Sequence, residues 1–449
     1  MPCLHLAYVF SDLLRILSAC LFERAGLRRT TFRTSSPRGQ RRSAGRVAQN
    51  DLQNFITSRA ASFTGVVFEA KRVAQQKELL SLVLEKGLDA VLDPQTQAMA
   101  TVGGYVSAMD NLPWSEKRAH APDDLASDFQ QRRMADEIAQ FVDRHGFTQV
   151  LAPTHLITGP DDPWLKIDLA LTRALRLALE QHRAGNFQIH YSLALDYEAF
   201  RTAPTRSALI EKLPRAQCDG LWLNVDGCGS DSSPTAITRY CDASSEFQTL
   251  QIPIVADHAG GLMGLSLLAF GGVGGLSHGI TLGERFDASA WHKTQRGKPF
   301  GARTRVYITQ LDLMFERLDA EKLFEAGGGR ARSTLGCRDA NCCRRGVIDM
   351  LQAPARHFLY QRTQQVAALS QIPESLRPSQ FLEDLVRPAS DTALRATSLE
   401  LPDDLMKKIS KQTKRLNDLR TTLGPYARRR RYASFALHPT TRMARAGGQ

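Results

Sequence analysis

The chain has 449 residues, enough for two to four domains or for one large barrel with additions. Hydrophobic residues make up 43%, so a large core is possible and wholesale disorder is excluded. No apolar run approaches the roughly 20 residues that a membrane span needs, which argues against an integral membrane protein. Lys and Arg outnumber Asp and Glu, 58 against 46, but the two ends of the chain supply the whole excess.

Residues 1–50 form a basic extension, in which nine arginines face two acidic residues, Asp12 and Glu23. An Arg-rich, Ser-rich and acid-poor segment is typical of a transit peptide. A misassigned start, with the natural chain beginning near Val47, is the other interpretation. We therefore leave this extension outside the predicted fold, which consists of a barrel at residues 51–325, a zinc-binding subdomain at 326–400 and a basic helical or disordered tail at 401–449.

From Leu52 onward, short apolar runs alternate with helical stretches such as Arg132–Arg144 and Lys166–His182. The strand-like runs are Ala90–Leu92, Gln149–Ala152, Ile189–Leu195, Gly220–Val225, Ile252–Ala256 and Gly275–Ile280. This alternation predicts βα units around a parallel sheet, and six or more units favour a (β/α)8 TIM barrel. Neither G-x-G-x-x-G after the first strand nor G-x-x-x-x-G-K-[ST] occurs, which counts against a dinucleotide or P-loop fold.

Polar residues stand at the ends of these strands, where barrel enzymes keep their active sites. A lone Asp there is more often a cap, but several Asp and His residues on one rim indicate a site. The candidates include Asp93, His155, Asn224, Asp226, Asp257 and His278, and among their neighbours Gln97, Thr154 and His258 also stand at strand ends. Two Gly-rich turns, containing Gly260–Gly261 and Gly274–Gly275, allow a ligand to approach the backbone, and tight turns are the alternative interpretation.

Eight cysteines are too few for a disulfide scaffold, yet Cys337, Cys342 and Cys343 fall within seven residues and His357 follows on a helical stretch. Three thiolates and an imidazole suit tetrahedral zinc, and four protein ligands would make the site structural, with one Zn²⁺ per chain. A buried Cys group beside a surface His is the alternative.

The last segment is basic and helical in pattern. Its residues Lys411, Lys414, Arg428, Arg429 and Arg430 are candidates for binding nucleic-acid phosphates. A solvated basic helix without a partner is the alternative.

Five segments, in this order along the chain, resemble motifs of the tRNA-guanine transglycosylase family, which includes the queuine and archaeosine tRNA-ribosyltransferases. Leu92–Gln97 stands where that family has T-D-S-G-G-F-Q, Tyr197–Arg201 resembles Y-E-D-L-R, and Cys218–Gly227 resembles F-D-G-Y-A-I-G-G-L. Cys337, Cys342 and Cys343 stand, with different spacing, where the family has C-x-C-x2-C, and Arg356–Arg362 resembles the helix that carries its zinc His. The resemblance is remote and covers about residues 65–370.

The resemblance implies a TIM barrel with a zinc subdomain, acting as a pentosyltransferase in tRNA modification of the queuosine type. It implies a cytoplasmic protein that exchanges a guanine in tRNA for a 7-deazaguanine base, with DNA as another possible substrate, and that forms a homodimer. Asp93 falls where the family uses an Asp in acid/base work.

The family's nucleophilic Asp has no counterpart, because residues 272–278 contain no carboxylate. We expect Asp257 or Asp226 to supply that carboxylate, and His278 or His155 to move the proton. We expect His155, Asn224 and the four glycines to contact the substrate. Two other interpretations remain: a barrel enzyme acting on a small glycosidic or phosphorylated substrate, and a catalytically inactive barrel that binds nucleic acid.

Overall fold

The computed structural model describes residues 29–33, 42–58, 63–182, 187–292 and 304–436. The predictions for residues 1–28 and 437–449 lie outside the described residues. Nine parallel strands occur in the main sheet: β1 (Arg29–Arg33), β2 (Gly65–Glu69), β3 (Asp89–Asp93), β4 (Gln149–Leu151), β5 (Leu156–Ile157), β6 (Gln188–Leu195), β7 (Gly220–Val225), β8 (Ile254–Asp257) and β9 (Gly275–Gly279).

Eight of these strands close into a ring. The order is β4-β3-β2-β1-β9-β8-β7-β6, and β4 also pairs with β6 through Leu151 and His190. The short strand β5 pairs with the end of β6, beside the ring. The fold is therefore a (β/α)8 TIM barrel, which confirms the fold predicted from the sequence.

The first strand of the barrel lies earlier than the sequence analysis placed it. β1 pairs with β2 on one side and with β9 on the other, so it is the strand that closes the barrel. Its residues, Arg29–Arg33, fall in the segment treated as an extension outside the fold. The predicted start of the barrel at residue 51 is therefore corrected to β1. The arginines on either side of this run hid its β-prone residues.

Helices lie between the strands. They are α1 (Arg42–Thr57), α2 (Lys77–Glu85), α3 (Thr96–Met99), α4 (Asp128–His145), α5 (Pro163–His182), α6 (Tyr197–Arg201), α7 (Ala203–Lys212), α8 (Pro234–Glu246) and α9 (Gly261–Ala269). Local sequence sets their limits, as α4 illustrates. Ser127 and Gln130 form a reciprocal capping box at its start, and Gly146, at φ +73°, ends it in the left-handed region.

The barrel interior is filled in its middle by apolar side chains. Val67, Val91, Leu151 and Trp222 pack together there, with Val255 against them. Because side chains alternate along a strand, residues two positions further on also point inward. Those positions, at the carboxyl ends of the strands, carry the polar residues of the candidate site.

A hairpin and a group of helices follow the barrel strands. The hairpin pairs β10 (Arg305–Ile308) with β11 (Leu313–Glu316). The helices are α10 (Arg317–Ala326), α11 (Gly328–Leu335), α12 (Val347–Gln352), α13 (Pro354–Gln371), α14 (Arg377–Phe381), α15 (Arg387–Ala396) and α16 (Asp403–Ala436). α13 packs against α1 and α9, so it fills the place of the eighth barrel helix.

The long helix α16 packs on the folded body rather than extending from it as a tail. Leu405, Ile409, Leu416, Leu419 and Leu423 are all buried at regular helical intervals. The prediction of a tail from residue 401 is therefore corrected: up to Arg430 this segment is part of the folded body. The side chains beyond Arg430 are not described. Among the helices of the described ranges, none has the length and apolar character of a membrane span.

Candidate active site and metal centre

A cleft opens at the carboxyl ends of the barrel strands and encloses about 880 Å³ of solvent-connected space. Residues from β1, β2, β3 and β6 and from the loops after β4, β8 and β9 line it. This is the face on which barrel enzymes place their chemistry.

Three charged residues form the centre of the cleft. Arg33, at the end of β1, donates from Nε to both carboxylate oxygens of Asp257, at 2.8 and 3.1 Å, and its terminal nitrogens contact Asp257 and Asp93. Burial by itself would raise the pKa of the Asp257 carboxyl. The Arg33 guanidinium outweighs that effect and holds the pKa of Asp257 below its ordinary value.

Asp93 and Asp257 differ in how accessible they are. The Asp257 side chain is fully buried, whereas that of Asp93 is 20% exposed. Asp93 also accepts a hydrogen bond of 2.8 Å from the backbone N–H of Gln95, which the left-handed turn at Gln95 (φ +63°) brings back toward it. Asp93 is thus held in place yet open to a ligand, and Asp257 serves as the counter-ion of Arg33.

A second carboxylate, Glu69, stands beside Asp93. The two are directly paired in the register of β2 and β3, so both side chains leave the sheet on the same face of adjacent strands. Glu69 lies within 3.4 Å of Lys71 and 3.3 Å of Arg72. Glu69 is not among the residues predicted from the sequence, although the run Gly65–Glu69 ends in a carboxylate as Asp89–Asp93 does.

Hydrogen-bonding side chains form the floor of the cleft. Gln97 donates from Nε2 to the hydroxyl oxygens of Thr154 and Ser192, both at 3.0 Å. Asn224 donates to the same Ser192 hydroxyl at 2.9 Å, but it is buried beneath the floor rather than lining the cleft. Asn224 can therefore orient Ser192, Thr154 is buried among its own hydrogen bonds, and Gln97, which is only partly buried, is the floor residue open to a ligand.

His258, Phe286 and Trp291 form one wall. His258 has a left-handed backbone (φ +57°), and its Nδ1 lies 3.3 Å from the carbonyl of Gly283. Burial lowers the pKa of His258, an effect that Asp257 only partly offsets, so the neutral imidazole is favoured. A neutral ring and two aromatic side chains suit a flat ligand such as a heterocyclic base.

Several predicted residues lie away from the cleft. Asp226 accepts a 2.6 Å hydrogen bond from the N–H of Ala288 and caps the 3₁₀ turn that holds Trp291. His278 points out of the barrel, with its ring against Phe32 and Phe358, and burial lowers its pKa to about 3. The predictions of Asp226 and His278 as catalytic residues are therefore corrected, because Asp226 caps a turn and His278 packs outside the barrel.

His155 is also occupied locally. Its Nδ1 lies 2.6 Å from Asp168 and its ring stacks on Trp164 at 3.6 Å, so it forms a buried dyad beside the cleft wall. It does not line the cleft, which corrects its prediction as a substrate contact.

The glycines divide into two groups. Gly274 and Gly275 stand at the start of β9, which is the opposite end of the barrel from the cleft, so they cannot contact its ligand. Gly260 and Gly261 open α9 near the cleft, but the N–H of Gly261 already donates to Glu284 at 3.0 Å, and a Cβ at Gly260 would overlap that carboxylate. These four predictions are therefore corrected as well.

The Cys/His cluster is assembled as the sequence indicated. The ligand atoms of Cys337, Cys342, Cys343 and His357 lie within 4.8 Å of one another, and all four residues are buried. The Sγ atoms of Cys342 and Cys343 are 3.6 Å apart, far beyond a disulfide bond, and His357 Nδ1 lies 3.3 and 3.4 Å from them. Around tetrahedral zinc, metal–ligand distances imply separations of about 3.8 Å between sulfurs and about 3.5 Å from sulfur to nitrogen.

Neighbouring groups prepare this cluster for a metal ion. His357 Nε2 lies 3.0 Å from the Tyr307 carbonyl, which requires the proton on Nε2 and leaves the Nδ1 lone pair toward the sulfurs. Gln361 donates toward Cys337 Sγ at 3.7 Å. The four residues fit a metal ion with a preference for sulfur and nitrogen ligands.

The basic residues of α16 separate into two sets. Lys411, Lys414, Arg428 and Arg429 are exposed. Arg430 instead contacts the Phe270 carbonyl and the Ser245 hydroxyl, so it joins α16 to the barrel helices. The exposed four remain available to a partner, and Arg430 is a structural residue.

No family model matches the chain, and no curated protein matches it either. Similar solved structures include a type I 3-dehydroquinate dehydratase from Clostridium difficile, at 8% identity and TM-score 0.35 over 59% of this chain and 90% of that one. The carboxyl transferase domain of Rhizobium etli pyruvate carboxylase shares 11% identity at TM-score 0.36 over 87% and 61%. A Penicillium canescens endo-1,4-beta-xylanase shares 9% at TM-score 0.37 over 58% and 84%.

The class of the protein therefore rests on its own geometry. It is a TIM barrel with a charged cleft at the carboxyl ends of its strands and a Cys3His cluster able to hold a metal ion.

Proposed function

We propose that this barrel is a transglycosylase-like enzyme that breaks and re-forms an N-glycosidic bond to a guanine-type base in nucleic acid, with tRNA favoured over DNA. The observation that carries the proposal is the position of Asp93. It is an accessible carboxylate in the cleft, at the one site where the family resemblance retains a catalytic residue.

The reaction needs two carboxylates, and the cleft contains Asp93 and Glu69 side by side. The resemblance assigns acid/base work to Asp93, which leaves Glu69 as the group that attacks the ribose C1′. Attack by the Glu69 carboxylate forms a C1′–O bond while the C1′–N electrons leave with the base. Asp93, which this step requires to carry a proton, donates that proton to the leaving base. The incoming base returns a proton to Asp93 and displaces Glu69.

Asp257 and Asp226 are less suitable nucleophiles than Glu69. Asp257 is fully buried and committed to Arg33, and Asp226 caps a turn. The wall of His258, Phe286 and Trp291 gives a flat base a surface to stack on, and the partly exposed Gln97 gives its edge a hydrogen-bonding partner.

The Cys3His cluster would hold one zinc ion in a structural role, because three thiolates and an imidazole complete its preferred coordination. The exposed lysines and arginines of α16 would contact phosphates of the nucleic acid. The contribution of zinc is to fix the segment between α11 and α13, and the cleft residues carry out the chemistry.

The test is base exchange by the purified full chain with tRNA, or duplex DNA, and a labelled guanine or 7-deazaguanine base. We expect incorporation by the wild type, with a loss of about 10²-fold or more in Asp93→Asn and Glu69→Gln. The matched control is Asp231→Asn, since Asp231 is exposed on the same face and contacts only Arg285 among the ion pairs described.

Other outcomes separate the competing functions. Nucleic-acid binding without exchange would favour an inactive binding barrel. Neither binding nor exchange would favour a small-molecule enzyme, and equal activity of the Asp93→Asn variant would overturn the assigned role.

A further inference from the structure

A continuous set of buried contacts joins the Cys3His cluster to the cleft wall. It begins at His357, whose Nδ1 faces the sulfurs and whose Nε2 faces the carbonyl of Tyr307 at 3.0 Å. Tyr307 is itself buried, and its phenol donates to Asp312 at 2.9 Å. The cluster and Asp312 are therefore linked through the backbone and side chain of one residue.

Asp312 in turn holds the first turn of α9. Its other carboxylate oxygen accepts a 2.8 Å hydrogen bond from the N–H of Leu262, and Glu284 accepts one of 3.0 Å from the N–H of Gly261. Carboxylates at a helix N-terminus satisfy free N–H groups and complement the helix dipole. The carboxylates of Asp312 and Glu284 thus fix where α9 begins.

The same helix that bears His357 supplies the balancing cation. Arg362, five residues later on α13, is fully buried and lies 3.1 Å from Glu284 and 3.5 Å from Asp312. Its guanidinium also lies over the Tyr307 ring at 4.9 Å. Without Arg362, two buried carboxylates would face each other with no cation between them, and only the Tyr307 phenol and the N–H groups at the start of α9 would offset their repulsion.

The turn that leads into α9 carries one residue of the cleft wall and the buried carboxylate behind it. Asp257 ends β8 and is the partner of Arg33, and His258 follows it in a left-handed conformation and forms part of the cleft wall. A shift at the start of α9 therefore displaces His258 and alters the Arg33 contacts.

We propose that Tyr307, Asp312, Glu284 and Arg362 are positioning residues through which an ion bound at the Cys3His cluster sets the place of the 257–262 turn in the cleft. The inference rests on the proposed function only in treating the cleft as the reaction site. Binding of the ion by Nδ1 requires the His357 tautomer that donates to Tyr307, and it holds the start of α13 against the hairpin. Release of the ion loosens both anchors of α9.

Hydrogen–deuterium exchange of the full chain tests this, with zinc-loaded protein compared with protein from which zinc has been removed by a chelator. We expect amides in residues 257–262 to exchange about tenfold faster or more after removal, while β6, which is separated from β8 by β7, keeps its protection. Unchanged exchange at 257–262 would overturn the proposal, and so would an equal loss of protection in β6, because the ion would then support the fold as a whole.

Variants measured with zinc bound test which residues link the Cys3His cluster to the 257–262 turn. Tyr307→Phe keeps the carbonyl that faces His357 and removes the donor to Asp312, and Arg362→Gln removes the cation. Both are expected to speed exchange at 257–262 while zinc content stays at the wild-type value, and Arg362→Lys is expected to restore part of the protection. The matched control is Arg206→Gln, since Arg206 is also buried and ion-paired, with Glu246, but lies elsewhere.

Exchange in the Tyr307→Phe and Arg362→Gln variants equal to wild type would contradict the assignment of these residues. The measurement involves no turnover, so a failure of base exchange and a failure of this inference give different results.

Discussion

Replacing Arg33 with Gln removes the cation that the fully buried Asp257 carboxylate faces, at 2.8 and 3.1 Å from Nε. Breaking a buried ion pair by removing one partner typically costs about 3–5 kcal/mol, because the remaining charge is stranded in a poorly solvated place. Asp93 adds little to this cost, since its side chain is 20% exposed and water can screen it. We therefore expect the free energy of unfolding at pH 7 to fall by about 3–5 kcal/mol.

The loss of stability in the Arg33→Gln variant should depend on pH. The contribution of Asp257 to the free energy of unfolding changes with pH in opposite directions in the wild type and in the variant. In the wild type the pKa of Asp257 is lowered, so the stability it contributes is present above its ordinary pKa and lost as pH falls through the lowered value. In the variant, burial is no longer opposed and the pKa of Asp257 rises above its ordinary value. Protonation then relieves the stranded charge, and the deficit should shrink between pH 7 and about pH 5.

Urea unfolding at both pH values, followed by circular dichroism, measures this difference. Arg206→Gln is the control, because its partner Glu246 is 41% exposed and would be left in water. We expect a smaller and nearly pH-independent loss for that variant. A deficit below about 1 kcal/mol for Arg33→Gln, or one of equal size at both pH values, would refute the role given to Arg33.

Three further predictions follow from the same geometry. Elemental analysis should find about one zinc per chain, lost in both Cys342→Ser and His357→Ala, whereas zinc retained in both would exclude this cluster as its site. Lys414→Glu should weaken binding to tRNA and lower the salt dependence of log K by about one, as measured by fluorescence anisotropy at several salt concentrations. Arg430→Gln should instead lower stability in thermal unfolding and leave the salt dependence of binding unchanged. The reverse pattern would contradict the division of the basic residues of α16 into exposed and structural ones. Gly260→Ala should cost about 1–3 kcal/mol in urea unfolding, because its Cβ would overlap Glu284, and a neutral substitution would show that the turn can yield.

The barrel was predictable because its strands form buried apolar runs with turn residues after them. Gly220–Val225 and Gly275–Gly279 are buried along their whole length, so their short length and the turn residues that flank them, rather than an alternating pattern, mark them as strands. β1 escaped this rule because it lies among arginines, whose charge suggested a segment outside the fold. Arg33 was lost with it, although the run Thr30-Thr31-Phe32 has the β-branched and aromatic residues typical of a strand.

The metal centre was predictable from spacing, since ligands close in sequence must be close in space. The catalytic assignments were less so, because sequence position shows which strand end a residue occupies but not which way its side chain faces. His278 differs from Ser277 by one residue and therefore points to the opposite side of the sheet. Asp226 stands at a strand end and still serves as a cap. Glu284 and Asp312, which accept hydrogen bonds from the first N–H groups of α9, lie much later in the chain, and no local pattern marks them.

The proposed reaction is tested most directly by trapping its covalent intermediate. The full chain is incubated with tRNA in the absence of free base and then examined on a denaturing gel for a chain–nucleic-acid adduct. We expect an adduct in the wild type and in Asp231→Asn, and none in Glu69→Gln. An adduct that persists in Glu69→Gln would place the nucleophile elsewhere, and exchange without any adduct would contradict the covalent step itself.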